Sequence, residues 1–128
     1  MPTFRFDKLV RDRIVELQQT DGYESKYRKL NRDEHIAELI KKLSEEVSEL
    51  EGASPDKLAA ELADVQQVLD DLAALLGVAK EEISAAQEKR LRKAGGFSEG
   101  LYVETLTMSD DAEWLEYYRE NADRYPEV

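Results

Sequence analysis

The stretch Leu43-Ser44-Glu45-Glu46-Val47-Ser48-Glu49-Leu50-Glu51-Gly52-Ala53-Ser54-Pro55-Asp56-Lys57-Leu58-Ala59-Ala60-Glu61-Leu62-Ala63-Asp64-Val65 decides the fold. Two helical patterns meet in it across a short break. Upstream, Ile36, Leu39, Ile40, Leu43, Val47 and Leu50 recur at helical spacing, with Asn31 or Asp33 placed to cap the start and Gly52 to close the end. Downstream, Ser54 as N-cap and Pro55 at the first helical position open a segment that carries Leu58, Leu62, Val65, Leu69, Leu72 and Leu76 to a stop at Gly77. So short a link makes the two helices antiparallel neighbours, and the expected fold class is an all-α, antiparallel helical bundle.

The acids of this stretch then fall at related heights. Glu46 lies about 9 Å of axial rise before Gly52, and Glu61 about 9 Å beyond Pro55, so they face each other across the hairpin. Glu49 sits one turn nearer the loop and Asp64 one turn farther from it, and the i, i+3 spacing puts each pair on one side of its helix. On a helical wheel Glu61 projects between Val68 and Leu72, inside the apolar arc, and Glu46 borders Leu39. A carboxylate placed there is costly unless a cation compensates its desolvation. Glu45 points away from the apolar arc and reads as a solvated or accessory acid.

Four carboxylates without Cys or a neighbouring His favour Mg2+, or Mn2+, over zinc or copper. The only histidine, His35, is about 16 Å of axial rise from Glu46 and reads as a surface or capping residue. An ordinary acid-rich solvated helix face accounts for the same pattern, since a chain with 29 acids in 128 residues makes such spacings easily.

The rest of the chain bounds the reading. At 128 residues one domain is expected, with residues 109–128 as a C-terminal helical extension. A first helix is expected from Leu9 to Leu17, a link over 23–32, a third helix over about 80–93, a short extended piece over 97–107, and a last helix capped by Ser109 with Trp114, Leu115 and Tyr118 as a core or subunit-contact stripe. No apolar run reaches membrane-spanning length, no signal peptide is seen, and cysteine is absent, so a cytoplasmic location without a membrane is expected. The net charge of −11 argues against nucleic acid as a partner, yet a small nucleotide fits if a metal and local bases neutralise it. The bases are grouped: Lys8, Arg11 and Arg13; Lys26, Arg28, Lys29 and Arg32; Lys89, Arg90, Arg92 and Lys93.

Phe6-Asp7-Lys8-Leu9-Val10-Arg11-Asp12-Arg13-Ile14, Glu45-Glu46-Val47-Ser48-Glu49, Glu61-Leu62-Ala63-Asp64 and Glu88-Lys89-Arg90 through Gly95-Gly96-Phe97 occur in that order. Together they resemble the MazG-like all-α nucleoside triphosphate pyrophosphohydrolases, in the small phosphoribosyl-ATP-pyrophosphatase-like house-cleaning branch, over residues 6–106. The chain departs from that pattern in a gap of 11 residues between Glu49 and Glu61, a little short, and in Val15 where a proline often follows the opening motif.

The resemblance implies a bundle of that family's type completed by a homodimer or higher oligomer. It implies metal-dependent hydrolysis of a nucleoside triphosphate, canonical or not, between the α and β phosphates. It makes Glu46, Glu49, Glu61 and Asp64 the Mg2+ ligands and Glu45 an accessory catalytic acid. Lys89, Arg90 and Lys93 would meet phosphate oxygens, with Lys8 and Arg11 as further substrate-binding residues. Two alternatives stand beside it: a phosphoribosyl-ATP pyrophosphatase, and a noncatalytic helical protein whose acidic face docks a basic partner.

Overall fold

The computed structural model describes residues 1–128 and is all-helical. It comprises α1 (Ile14–Thr20), α2 (Arg32–Glu51), a 3-10 turn (Pro55–Lys57), α3 (Leu58–Leu76), α4 (Lys80–Ala94) and α5 (Leu115–Glu120), with no strand. Two compact units form, Met1–Arg92 and Lys93–Val128. No helix is long and apolar enough to cross a membrane.

The ends of the central helices follow from their stop signals. Asn31 caps α2 through a reciprocal pair in which the Glu34 amide donates to Asn31 Oδ1 at 2.9 Å and the Asn31 amide to Glu34 Oε1 at 3.4 Å. Such a cap stabilises a helix by about 1 kcal/mol. Arg28 braces the same carboxylate with two bonds, at 3.1 and 2.8 Å, which holds Glu34 below the ordinary carboxylate range. Gly77, at φ 74°, ends α3 in the left-handed conformation a glycine adopts without strain, and the Val78 amide donates back to Ala73 O.

The α2–α3 hairpin is antiparallel, as its short link requires. Arg32 at the start of α2 donates to Leu75 O near the end of α3, and Glu46 late in α2 meets Glu61 and Asp64 early in α3. Leu39 and Val68 are the two buried apolar side chains, flanked by half-buried Ile36, Leu43, Leu50, Val65, Leu72 and Leu75. A second apolar stripe, Ile40 and Val47 on α2 with Leu58, Leu62, Leu69 and Leu76 on α3, remains exposed. It is turned by about 100° from the inward stripe in the same rotational sense on both helices. In an antiparallel pair that places both halves on one side of the hairpin.

Several local expectations are corrected. The first helix starts at Ile14, and Leu9–Arg13 stay irregular. Ser54 precedes a 3-10 turn, and its hydroxyl donates to Asp56 Oδ1 at 2.6 Å instead of capping a backbone amide. Residues 97–107 form no strand, since there is no second strand to pair with. Ser109 opens a pair of turns, Ala112 donating to Ser109 O and Leu115 to Ala112 O, so the last helix begins only at Leu115. Ser and Asp side chains compete for backbone partners and favour turns there. Within the C-terminal unit Trp114 is 59% exposed and meets Tyr117 edge-on at 5.5 Å, while Tyr118 and Tyr125 meet at 5.0 Å.

Candidate functional site

Glu46, Glu61 and Asp64 converge: one oxygen from each lies within 4.8 Å of the others. The hairpin creates this by placing acids where its inward stripes continue toward the loop. Glu46 is buried, at 8% exposure, and Glu61 and Asp64 are half-buried. The Oε2 atoms of both Glu46 and Glu61 are buried and accept no hydrogen bond. Burial pushes the Glu46 carboxyl above its ordinary value, the charges of Glu49 and Asp64 push it further, and Lys42 pulls it back.

Two bases stand in this cluster. Arg11 Nη2 donates to Asp64 Oδ1 at 2.6 Å, reaching from the irregular segment before α1. Lys42, one turn before Glu46, donates to Glu45 Oε2 at 3.4 Å and lies 3.6 Å from Glu46 Oε1. Lys42 belongs to no motif. Only its i, i+3 and i, i+4 spacing to Glu45 and Glu46 hints at the contact.

Beside the acids a cavity of about 610 Å³ runs along the hairpin. Leu9–Arg13 form one wall, and its floor includes Leu39, Val68 and Leu75. Glu46 and Asp64 stand at one end, while His35 and Asp71 lie three helical turns away along α2 and two along α3. His35 is therefore a half-buried wall residue, and Asn31 does the capping expected of that region.

Of the other expected site residues, Glu49 is exposed on α2 and falls outside the three-acid group, acting on Glu46 only through its charge. Glu45 is held by Lys42. Lys8 is exposed and does not line the cavity. Lys89 and Arg90 stand exposed on α4, which buries none of its side chains, and Lys93 is exposed near that helix's end.

By donor type and by its two unpartnered buried oxygens the acidic trio could hold a hard divalent cation. Comparison with protein-family models, with curated proteins and with solved structures finds no match for the chain.

Proposed function

We propose that the chain is a metal-dependent nucleoside triphosphate pyrophosphohydrolase acting between the α and β phosphates. The observation that carries this reading is the pair of buried, unpartnered carboxylate oxygens on Glu46 and Glu61 beside Asp64. Acids left so are unfavourable in a bare hairpin and become favourable around Mg2+ or Mn2+.

In this reading Glu46, Glu61 and Asp64 hold the cation, which supplies Lewis acidity and charge neutralisation at the phosphate oxygens. Glu49, exposed and outside the trio, takes the proton of the attacking water. The water oxygen bonds to the α phosphorus as the bridging P–O bond breaks, and the electron pair leaves with pyrophosphate. Lys89 and Arg90, with Lys8 and Arg11, neutralise the polyphosphate. The cavity beside Glu46 and Asp64 is spacious enough for a nucleoside. The exposed stripe of Ile40, Val47, Leu58, Leu62, Leu69 and Leu76 supports a homo-oligomer.

One observation favours the noncatalytic alternative: Arg11 and Lys42 already supply positive charge to the cluster. The test is a panel of canonical and damaged nucleoside triphosphates with Mg2+, scored for pyrophosphate against orthophosphate. Pyrophosphate release that depends on Mg2+ and on Glu61 supports the enzyme; no turnover across the panel supports the docking protein.

A further inference from the structure

Arg11 reaches Asp64 across 53 residues of sequence, with a 2.6 Å contact. It is the only side chain of the segment before α1 that is ion-paired to α2 or α3. Arg5 pairs with Asp7, and Arg13 with Glu16, both locally. The segment it belongs to, Leu9–Arg13, is irregular and walls the cavity beside the acids. Its contact partner is one of the three carboxylates that would hold a cation.

A guanidinium on Asp64 and a divalent ion among Glu46, Glu61 and Asp64 are like charges sharing one carboxylate, and they repel. If the ion displaces the guanidinium, the free energy that the ion pair gives the metal-free chain is lost on binding. We propose that Arg11 is a built-in competitor for the cation: it neutralises Asp64 in the metal-free protein, and cation binding releases it, freeing the Leu9–Arg13 wall of the cavity. The release rests on the cation reading of the acidic trio and concerns the regulation of that site. It sets a threshold, since the cation must outcompete an ion pair before the wall opens to substrate.

The opposite role for Arg11, a brace that orients Asp64 toward the ion, predicts the opposite sign. If Arg11 competes, removing it tightens cation binding; if it braces, removing it weakens binding. An ion pair of this partial exposure corresponds to a change of about five-fold.

The experiment is calorimetric titration of the full chain with Mn2+ alone, for wild type, Arg11→Gln and Arg13→Gln. Arg13 pairs only with Glu16 and carries the same charge in the same segment. Tighter binding by about five-fold in Arg11→Gln, with Arg13→Gln close to wild type, is the expected result. Unchanged or weaker binding in Arg11→Gln, or equal tightening in both variants, overturns the competition while leaving the cation site standing. A second readout is limited trypsin digestion of wild type with and without saturating Mg2+. Trypsin must take the Arg11 guanidinium itself, so cleavage after Arg11 should accelerate with Mg2+ while cleavage after Arg28 stays constant. A wild-type chain that binds Mn2+ but cleaves at Arg11 no faster with Mg2+ overturns the release. No heat of binding in any of the three proteins, together with no rise in melting temperature on adding Mn2+, overturns the cation site itself, and the release with it.

Discussion

Glu46 on α2 and Glu61 on α3 face one another across the hairpin, each with its Oε2 buried and without a hydrogen-bond partner. Burying a polar atom unpaired costs about 1–3 kcal/mol, so an apolar pair at these two positions would make the more stable hairpin. Lys42 and Arg11 relieve only part of that cost, through Glu46 Oε1 and Asp64 Oδ1. The uncompensated remainder is what a bound cation would convert into stability.

Mg2+ or Mn2+ should therefore raise the melting temperature. A ligand at ten times its dissociation constant stabilises by about 1.4 kcal/mol, or a few degrees for a chain of this size. Differential scanning fluorimetry with a metal titration measures it. Glu61→Gln should lose the shift and drop hydrolysis by at least about 100-fold, while its metal-free melting temperature is equal to wild type or higher. Glu45→Gln should be milder. A flat midpoint up to millimolar Mg2+ in wild type would sink the cation site.

The Glu46 carboxyl gives a dependence on pH. Burial, then the Glu49 charge, raise it above the ordinary 4.5, and the folded chain binds this proton more tightly than the unfolded one. Its contribution to stability is thus complete below about pH 4.5 and is lost as pH rises through the raised folded value. Metal-free Glu46→Gln, which cannot ionise, should melt above wild type at neutral pH, with the difference closing as pH falls through that raised value and gone below about 4.5. The same proton competes with a cation, so metal affinity should weaken as acid approaches that raised value. Parallel melting curves for the two proteins across pH would show that Glu46 is no more costly to ionise than a solvated acid.

Much of this site is legible in the sequence because α2 and α3 carry their own punctuation. Asn31, Gly52, Pro55 and Gly77 fix both helices to within a few residues, and helical phase then brings Glu46, Glu61 and Asp64 together. Glu49 falls outside the trio because it sits a turn nearer the loop, at an exposed position of α2. Arg11 on Asp64 is not readable from local pattern, for no periodicity links an irregular segment to a helix 53 residues away. Lys42 is hidden among other lysines until burial distinguishes it from Lys41, which is exposed. The C-terminal helix fails at its start because Ser109-Asp110-Asp111 satisfies cap and turn equally well, and the backbone takes the turn.

The basic end of α4 separates a phosphate clamp from a solvated face. Lys89 and Arg90 are exposed, and α4 buries nothing, so alanine at either should leave stability unchanged. If Arg90 meets the polyphosphate, Arg90→Ala removes a charge-assisted contact and lowers kcat/KM by about 2–3 kcal/mol. Lys29→Ala deletes the same charge from an exposed position and should cost less than about 1 kcal/mol. Equal losses at both would mean that only net charge matters, and the clamp would be dropped.

The exposed apolar stripe makes the remaining prediction. Leu62 is 55% exposed and Leu69 42%, on the side of the hairpin away from the Leu9–Arg13 wall, and Ile40 and Val47 continue the patch on α2. Covering a half-exposed side chain of this kind stabilises by about 1 kcal/mol, so a second copy seated on the six-residue stripe gains several from it. We expect wild type to sediment as a dimer or larger at micromolar concentration. Leu62→Glu combined with Leu69→Glu should sediment at the 14.7 kDa of one chain and melt lower. The two substitutions place like charges from both copies in one interface, on a chain already at −11, so repulsion adds to the lost burial. The metal-dependent thermal shift should survive in that variant, since all three acids lie within one hairpin. A wild-type chain that sediments as a monomer would remove the oligomer from the reading, and loss of the metal shift in the monomeric variant would mean that the cation site needs the second copy.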